Sequence, residues 1–159
     1  MLPSQRGGHC GKRKTVPEVV RSVIVGRSPA EMFALVDAVE DYPRFLPWCG
    51  ASSVLHRDET VTRATLMIDY HGVRQSFTTE NLKRPPEEMS IRLVEGPFSR
   101  LEGTWRFVAL GGEGCKIELR LSYEFRSRVL ERLLGPVFDR IAGSLVESFV
   151  KRAHETRNP

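Results

Sequence analysis

The chain has 159 residues, of which 40% are hydrophobic and 28% charged, and its formal net charge is +4. That length suits one domain with a core of useful size, and the composition is neither that of a disordered polymer nor that of a membrane protein. Apolar runs such as Val23-Ile24-Val25 fall far short of the roughly 20 residues that span a bilayer, and neither end carries a lipid-anchor motif.

Residues 1–17 combine glycines with Arg6, Lys12, Arg13 and Lys14 and close on Pro17, and they read as a disordered basic tail. Such a tail is open to three uses: a solvated extension, a contact for anionic lipid or RNA, or a presequence. From Val19 to Val25 the chain is β-branched and predicts a strand. Ser28-Pro29-Ala30-Glu31 predicts a helix start, with Ser28 as N-cap, Pro29 at the first helical position and Glu31 closing a capping box. Pro43 and Pro47 bracket a short helical turn or packed loop.

Six antiparallel strands are then expected. Ala64, Leu66, Ile68 and Tyr70 share one face of the second, and His71-Gly72 makes a tight hairpin turn. Val73 to Glu80 alternate next, and Lys83 to Glu88 read as a turn. Gly96-Pro97-Phe98 reads as a loop that exposes an aromatic ring. Leu101, Gly103, Trp105 and Phe107 resume the alternation. Cys115 to Phe125 give period two over eleven residues, the pattern of a strand dry on one face and wet on the other. Ser127 caps a final helix whose apolar pairs, from Val129-Leu130 to Phe149-Val150, make one broad stripe that Pro136 should kink. The order predicts an α+β fold: a curved antiparallel sheet around a long C-terminal helix, with room for an apolar cavity between them.

No catalytic set converges. The chain lacks a Gly-x-Ser-x-Gly elbow, Gly111-Gly112-Glu113-Gly114 lacks the lysine of a phosphate loop, and Glu40-Asp41 are adjacent rather than facing. Cys10, Cys49 and Cys115 are odd in number and widely spaced, which argues against a disulfide framework, and no cysteine–histidine spacing suits zinc. The expectation is therefore a binding protein with no metal and no reaction of its own. The informative residues are aromatic. Tyr42-Pro43-Arg44-Phe45-Leu46-Pro47-Trp48 forms either a packed core edge or a rigid rim over a cavity, and Gly96-Pro97-Phe98 either plugs the end of the sheet or supplies a second rim. Tyr70, Phe77, Trp105, Phe107 and Tyr123 are expected to point inward, as core or as cavity lining, and Phe138 of the last helix joins Tyr70, Phe77, Trp105 and Phe107 as candidate ligand-binding residues.

Ser28-Pro29-Ala30-Glu31-Met32-Phe33, then Val39-Glu40-Asp41-Tyr42-Pro43-Arg44-Phe45-Leu46-Pro47-Trp48-Cys49, resembles the opening of the polyketide cyclase-like START-domain family. Phe77-Thr78-Thr79-Glu80-Asn81 and Leu93 to Phe107, with its Gly-Pro-Phe loop, resemble the family's middle, and Tyr123-Glu124-Phe125 with the long helix its end. The resemblance covers roughly residues 18–154. It implies a helix-grip domain over 18–156 with an apolar tunnel. Two of the family's branches stand nearest: the coenzyme Q-binding proteins and the bacterial ribosome association toxin. The first implies a lipid chaperone that binds ubiquinone or another polyisoprenoid quinone and supports respiration. The second implies binding to the large ribosomal subunit. Pocket residues carried by the resemblance are Tyr42, Pro43, Phe45, Leu46, Pro47 and Trp48, with Gly96, Pro97 and Phe98. A bacterial cytoplasmic protein is implied, in peripheral contact with the inner membrane or respiratory complexes under the first reading, and with no role for DNA.

Overall fold

A computed structural model of the chain describes residues 18–157; the tail expected over residues 1–17 lies outside the described residues. Strand β1 (Glu18–Val25) leads to helix α1 (Pro29–Asp37), a 3-10 turn (Val39–Asp41) and the one-turn helix α2 (Tyr42–Phe45). Then follow β2 (Cys49–Arg57), β3 (Val61–Tyr70), β4 (Val73–Arg84), β5 (Glu88–Glu95), β6 (Phe98–Ala109) and β7 (Cys115–Phe125), and helix α3 (Arg128–Arg157) ends the fold.

The local signals account for the element ends. Ser28 Oγ accepts from the Glu31 backbone N–H at 3.1 Å, and the Glu31 carboxylate accepts from the Ser28 N–H at 3.0 Å, so two orphan donors of α1 are satisfied reciprocally. His71 and Gly72 both take positive φ, 51° and 80°, as a two-residue hairpin whose twist matches its strands requires. Ser127 Oγ accepts from the Leu130 N–H at 3.1 Å and caps α3.

All strands pair antiparallel in one seven-stranded sheet, ordered β1-β7-β6-β5-β4-β3-β2. Strands β2 to β7 are a meander of neighbours, and β1 closes onto β7 with Val25 opposite Cys115. Register shifts at Cys49/Ala51, Val54/His56, Thr78/Thr79 and Phe98/Arg100 bend the sheet locally. Helix α3 lies across the inner face. Leu134, Phe138, Ile141, Ala142, Val146, Phe149 and Ala153 are buried at helical spacing, and each large one contributes about 1.5–3 kcal/mol by leaving water.

Two readings of the sequence are adjusted. The dry stripe of α3 starts at Leu134 rather than Val129, because Val129 and Leu133 are 65% and 63% exposed. Strand β4 runs on to Arg84, past the turn expected from Lys83, because Lys83 points inward and meets Asp37 at the end of α1.

Candidate functional site

Helix α3 carries two aromatic hubs. Phe138 meets Tyr123 at 4.6 Å and Phe98 at 5.0 Å between ring centroids. Phe149 meets Tyr42 and Phe45 at 5.3 Å and Trp105 at 5.5 Å. The hubs stand about 16 Å apart along the helix axis. Between them lie Ile141, Ala142, Leu145 and Val146, none of them aromatic. The backbone of α3 approaches β7, β1 and α1 most closely, so the sheet's other half is left with space above it.

That space is an apolar cavity of about 80 Å³. Its floor comes from Ala64 and Leu66 of β3, Phe77, Thr79 and Asn81 of β4, Ile91 of β5, Leu101 and Trp105 of β6 and Leu121 of β7. Its roof is Phe138, Ile141, Ala142, Leu145 and Phe149, and Val39, Tyr42 and Trp48 close one end. The wall has no carboxylate, imidazole, amine or thiol, and hence no nucleophile–base pair. Among the described residues no group of three His, Cys, Asp or Glu side chains is placed to hold a metal ion.

Of the residues singled out from the sequence, Tyr42, Trp48, Phe77, Trp105 and Phe138 line this cavity. Pro43, Phe45, Leu46 and Pro47 instead border an outer groove with Ser148, Lys151 and Arg152. Gly96, Pro97 and Phe98 border another, with Ser76, Leu93 and Arg126. Phe107 packs between Phe33 and Trp105, and Tyr70 sits at the hairpin end against His71. Each aromatic motif thus backs one hub, and the two stand at opposite ends of the cavity rather than around one mouth.

Phe98, open in the sequence between an exposed rim and a plug for the end of the sheet, is buried, and it stacks on Phe125 at 4.9 Å. Gly96 makes that possible. Its φ is 154°, and a Cβ there would come within 2.7 Å of the Phe77 Cβ, so only glycine lets the chain fold back over β4.

The polar groups of the wall divide sharply. The Tyr42 hydroxyl donates to the Val36 carbonyl, and burial raises its pKa. Beside the cavity, the Cys49 thiol donates to the Ala51 carbonyl at 3.4 Å, and burial pushes its pKa up to about 11, so it stays protonated near neutrality. Trp48 Nε1 and Asn81 Oδ1 are buried with no partner. Asn81 was not singled out from the sequence. Its signal was there: it continues the inward phase of Phe77 and Thr79, while Leu82, out of phase, is 46% exposed.

A family model described as polyketide cyclase / dehydrase and lipid transport matches residues 25–150. The chain belongs to that family. The ribosome association toxin RatA of Pseudomonas aeruginosa is 38% identical over 137 residues, covering 86% of this chain and 95% of the relative. A mitochondrial coenzyme Q-binding protein, COQ10 homolog B of Xenopus laevis, is 31% identical over 140 residues, covering 86% of this chain and 57% of the relative. Among solved structures, the ZhuI aromatase/cyclase from a Streptomyces species aligns with a TM-score of 0.78 over 88% of this chain and 94% of its own, at 17% identity, which speaks to the fold alone. The helix-grip architecture expected from the sequence is thus shared. The two relatives carry names of a toxin and of a binding protein, and the structural neighbour that of an enzyme.

Proposed function

We propose that this chain is a carrier for a polyisoprenoid quinone or a closely similar lipid, held between α3 and the β3–β6 half of the sheet. The observation that carries this is the cavity itself, apolar throughout except for a few fixed polar atoms, the usual make-up of a small-molecule site. The kinship with a protein named for coenzyme Q binding supports it. No reaction is assigned, because the wall offers no acid, base or nucleophile.

Size sets a condition. About 80 Å³ is less than the roughly 150 Å³ of a cavity that takes benzene, so a ring enters only as the cavity widens. Loading is therefore coupled to opening. Each buried methylene contributes about 0.8 kcal/mol, and micromolar affinity needs about 8 kcal/mol beyond the cost of ordering, so a few isoprene units suffice. The test is mass spectrometry of organic extracts from protein purified without detergent from a ubiquinone-producing host. Stoichiometric quinone is the expected result, and an extract free of quinone, together with no binding on titration, overturns the proposal.

A second reading is favoured by the outer groove. Arg152 lies 5.1 Å over the Phe45 ring, beside Arg44 and Lys151, which pairs a stacking face with cations suited to RNA phosphates. With a relative named as a ribosome association toxin, this supports contact with the large ribosomal subunit. Salt-sensitive co-sedimentation with that subunit, lost in Arg44→Glu/Arg152→Glu, is its expected outcome.

A further inference from the structure

Three buried side-chain polar atoms among the described residues meet no hydrogen-bond partner: Arg27 Nε, Trp48 Nε1 and Asn81 Oδ1. The last two belong to residues in the wall of the same cavity, and those residues are only 5% and 8% exposed. A buried polar atom left unpaired is a standing cost, and a native fold tolerates it where a ligand supplies the partner.

The chemistry of the two atoms differs. An indole N–H only donates. The Asn81 amide could in principle be turned either way, but its Nδ2 lies 3.6 Å from Met89 Sδ, and a thioether sulfur can only accept. The amide nitrogen therefore faces the sulfur, and Oδ1 is the atom left without a partner. The residues of the wall thus include one unfilled donor and one unfilled acceptor, both sealed until the cavity widens. The remaining hydroxyls do not alter this: Tyr42 already donates to the Val36 carbonyl, and a threonine hydroxyl such as that of Thr79 rotates to serve either role.

We infer that the cavity selects a head group bearing both an acceptor oxygen for Trp48 Nε1–H and a hydroxyl that donates to Asn81 Oδ1, and hence takes a hydroquinone in preference to the corresponding quinone. The oxygens of the quinone, carbonyl and methoxy alike, only accept. The quinone satisfies Trp48 but leaves Asn81 Oδ1 unpaired or facing another lone pair. The two-electron, two-proton reduced form accepts and donates, and satisfies both. This deepens the carrier proposal above and rests on it.

The test is anaerobic calorimetric titration of the full chain with a ubiquinone of two isoprene units, oxidised and reduced, and with the dimethyl ether of the reduced form. The reduced form is expected to bind at least tenfold more tightly than either of the others, because the ether keeps the acceptors and loses the donor. Asn81→Leu should weaken the reduced form alone and bring all three to parity, whereas Trp48→Phe should weaken all three alike. Circular dichroism checks that both variants fold, and the wild-type ratio is decisive without them. Equal affinity for the two redox forms, tighter binding of the oxidised form, or a preference that survives in Asn81→Leu overturns the inference and leaves the carrier proposal standing. Binding of none of the three overturns the inference and, with an extract free of quinone, the carrier proposal as well.

Discussion

Asn81 and Lys83 are neighbours on the inner face of β4, and the fold treats them in opposite ways. The Lys83 ammonium, 4% exposed, donates to Asp37 at 3.1 Å, and the same carboxylate accepts from the Thr62 hydroxyl at 2.8 Å and lies 3.7 Å from Arg57. Arg57 in turn grips Glu40 through two nitrogens, at 2.7 and 3.1 Å. Two positions earlier, Asn81 Oδ1 meets nothing. A saturated polar cluster fixes one geometry, here the seating of α1 against the sheet; an unsaturated one keeps a place for something else. Burial alone therefore does not mark a polar group as structural. Its remaining hydrogen-bonding capacity does.

The largest effect comes from breaking the saturated side. Asp37→Ala strands the buried Lys83 charge and should cost about 3–5 kcal/mol in urea unfolding, while Asp37→Leu combined with Lys83→Met should recover most of it. A loss of under about 1 kcal/mol for Asp37→Ala would show that the cluster is not a latch. Phe98→Ala removes a buried ring from the Phe138 hub and should cost a similar ~3–5 kcal/mol, more than a cavity-rim residue would. Asn81→Leu should act the other way on the ligand-free protein. Removing an unpaired buried acceptor is expected to gain about 1 kcal/mol, read as a rise of roughly 2–4 °C in Tm. A lower Tm would mean that the Met89 contact outweighs the unpaired oxygen.

The smallest effect is Glu40→Gln, at about 0.2–1 kcal/mol for an exposed pair. The hydrogen bond from Arg57 holds the Glu40 carboxyl below its ordinary value of 4.5. A depressed carboxyl stabilises the fold above the unfolded pKa, and that contribution is lost as pH falls through the folded one. The variant's stability-against-pH curve should therefore be flatter than the wild type's below about pH 4.5.

What was legible in the sequence was local. The capping box at Ser28, the hairpin at His71-Gly72 and the period-two run of β7 depend on residues within a few positions of one another, and each stands in the fold. Legibility failed where the partner was distant. Lys83 looked like a turn residue because Asp37, which draws it inward, lies 46 positions earlier. Phe98 stayed open between rim and plug because only the approach to Phe77 reveals why Gly96 is there. The motif from Tyr42 to Trp48 announced a packed aromatic corner, but a turn of helix points successive side chains about 100° apart. Tyr42 thus reaches the cavity while Pro43 and Phe45 border the outer groove, and the turn that follows the helix divides Trp48 from Pro47 in the same way. Composition could name the corner and not its two sides.

The pairing of β1 with β7 bears on how the chain finds this structure. Every other ladder joins consecutive strands and closes a short loop, whereas Val25 must find Cys115 across about 90 residues. Loop-closure entropy grows only slowly with length, by about 0.6 kcal/mol per doubling, but it must be met before the contact rewards it. The meander from β2 to β7 is thus the natural early structure, and β1 zips on late, as the edge strand that completes the platform under α3. Weakening β1 would then speed unfolding and leave the folding rate nearly unchanged.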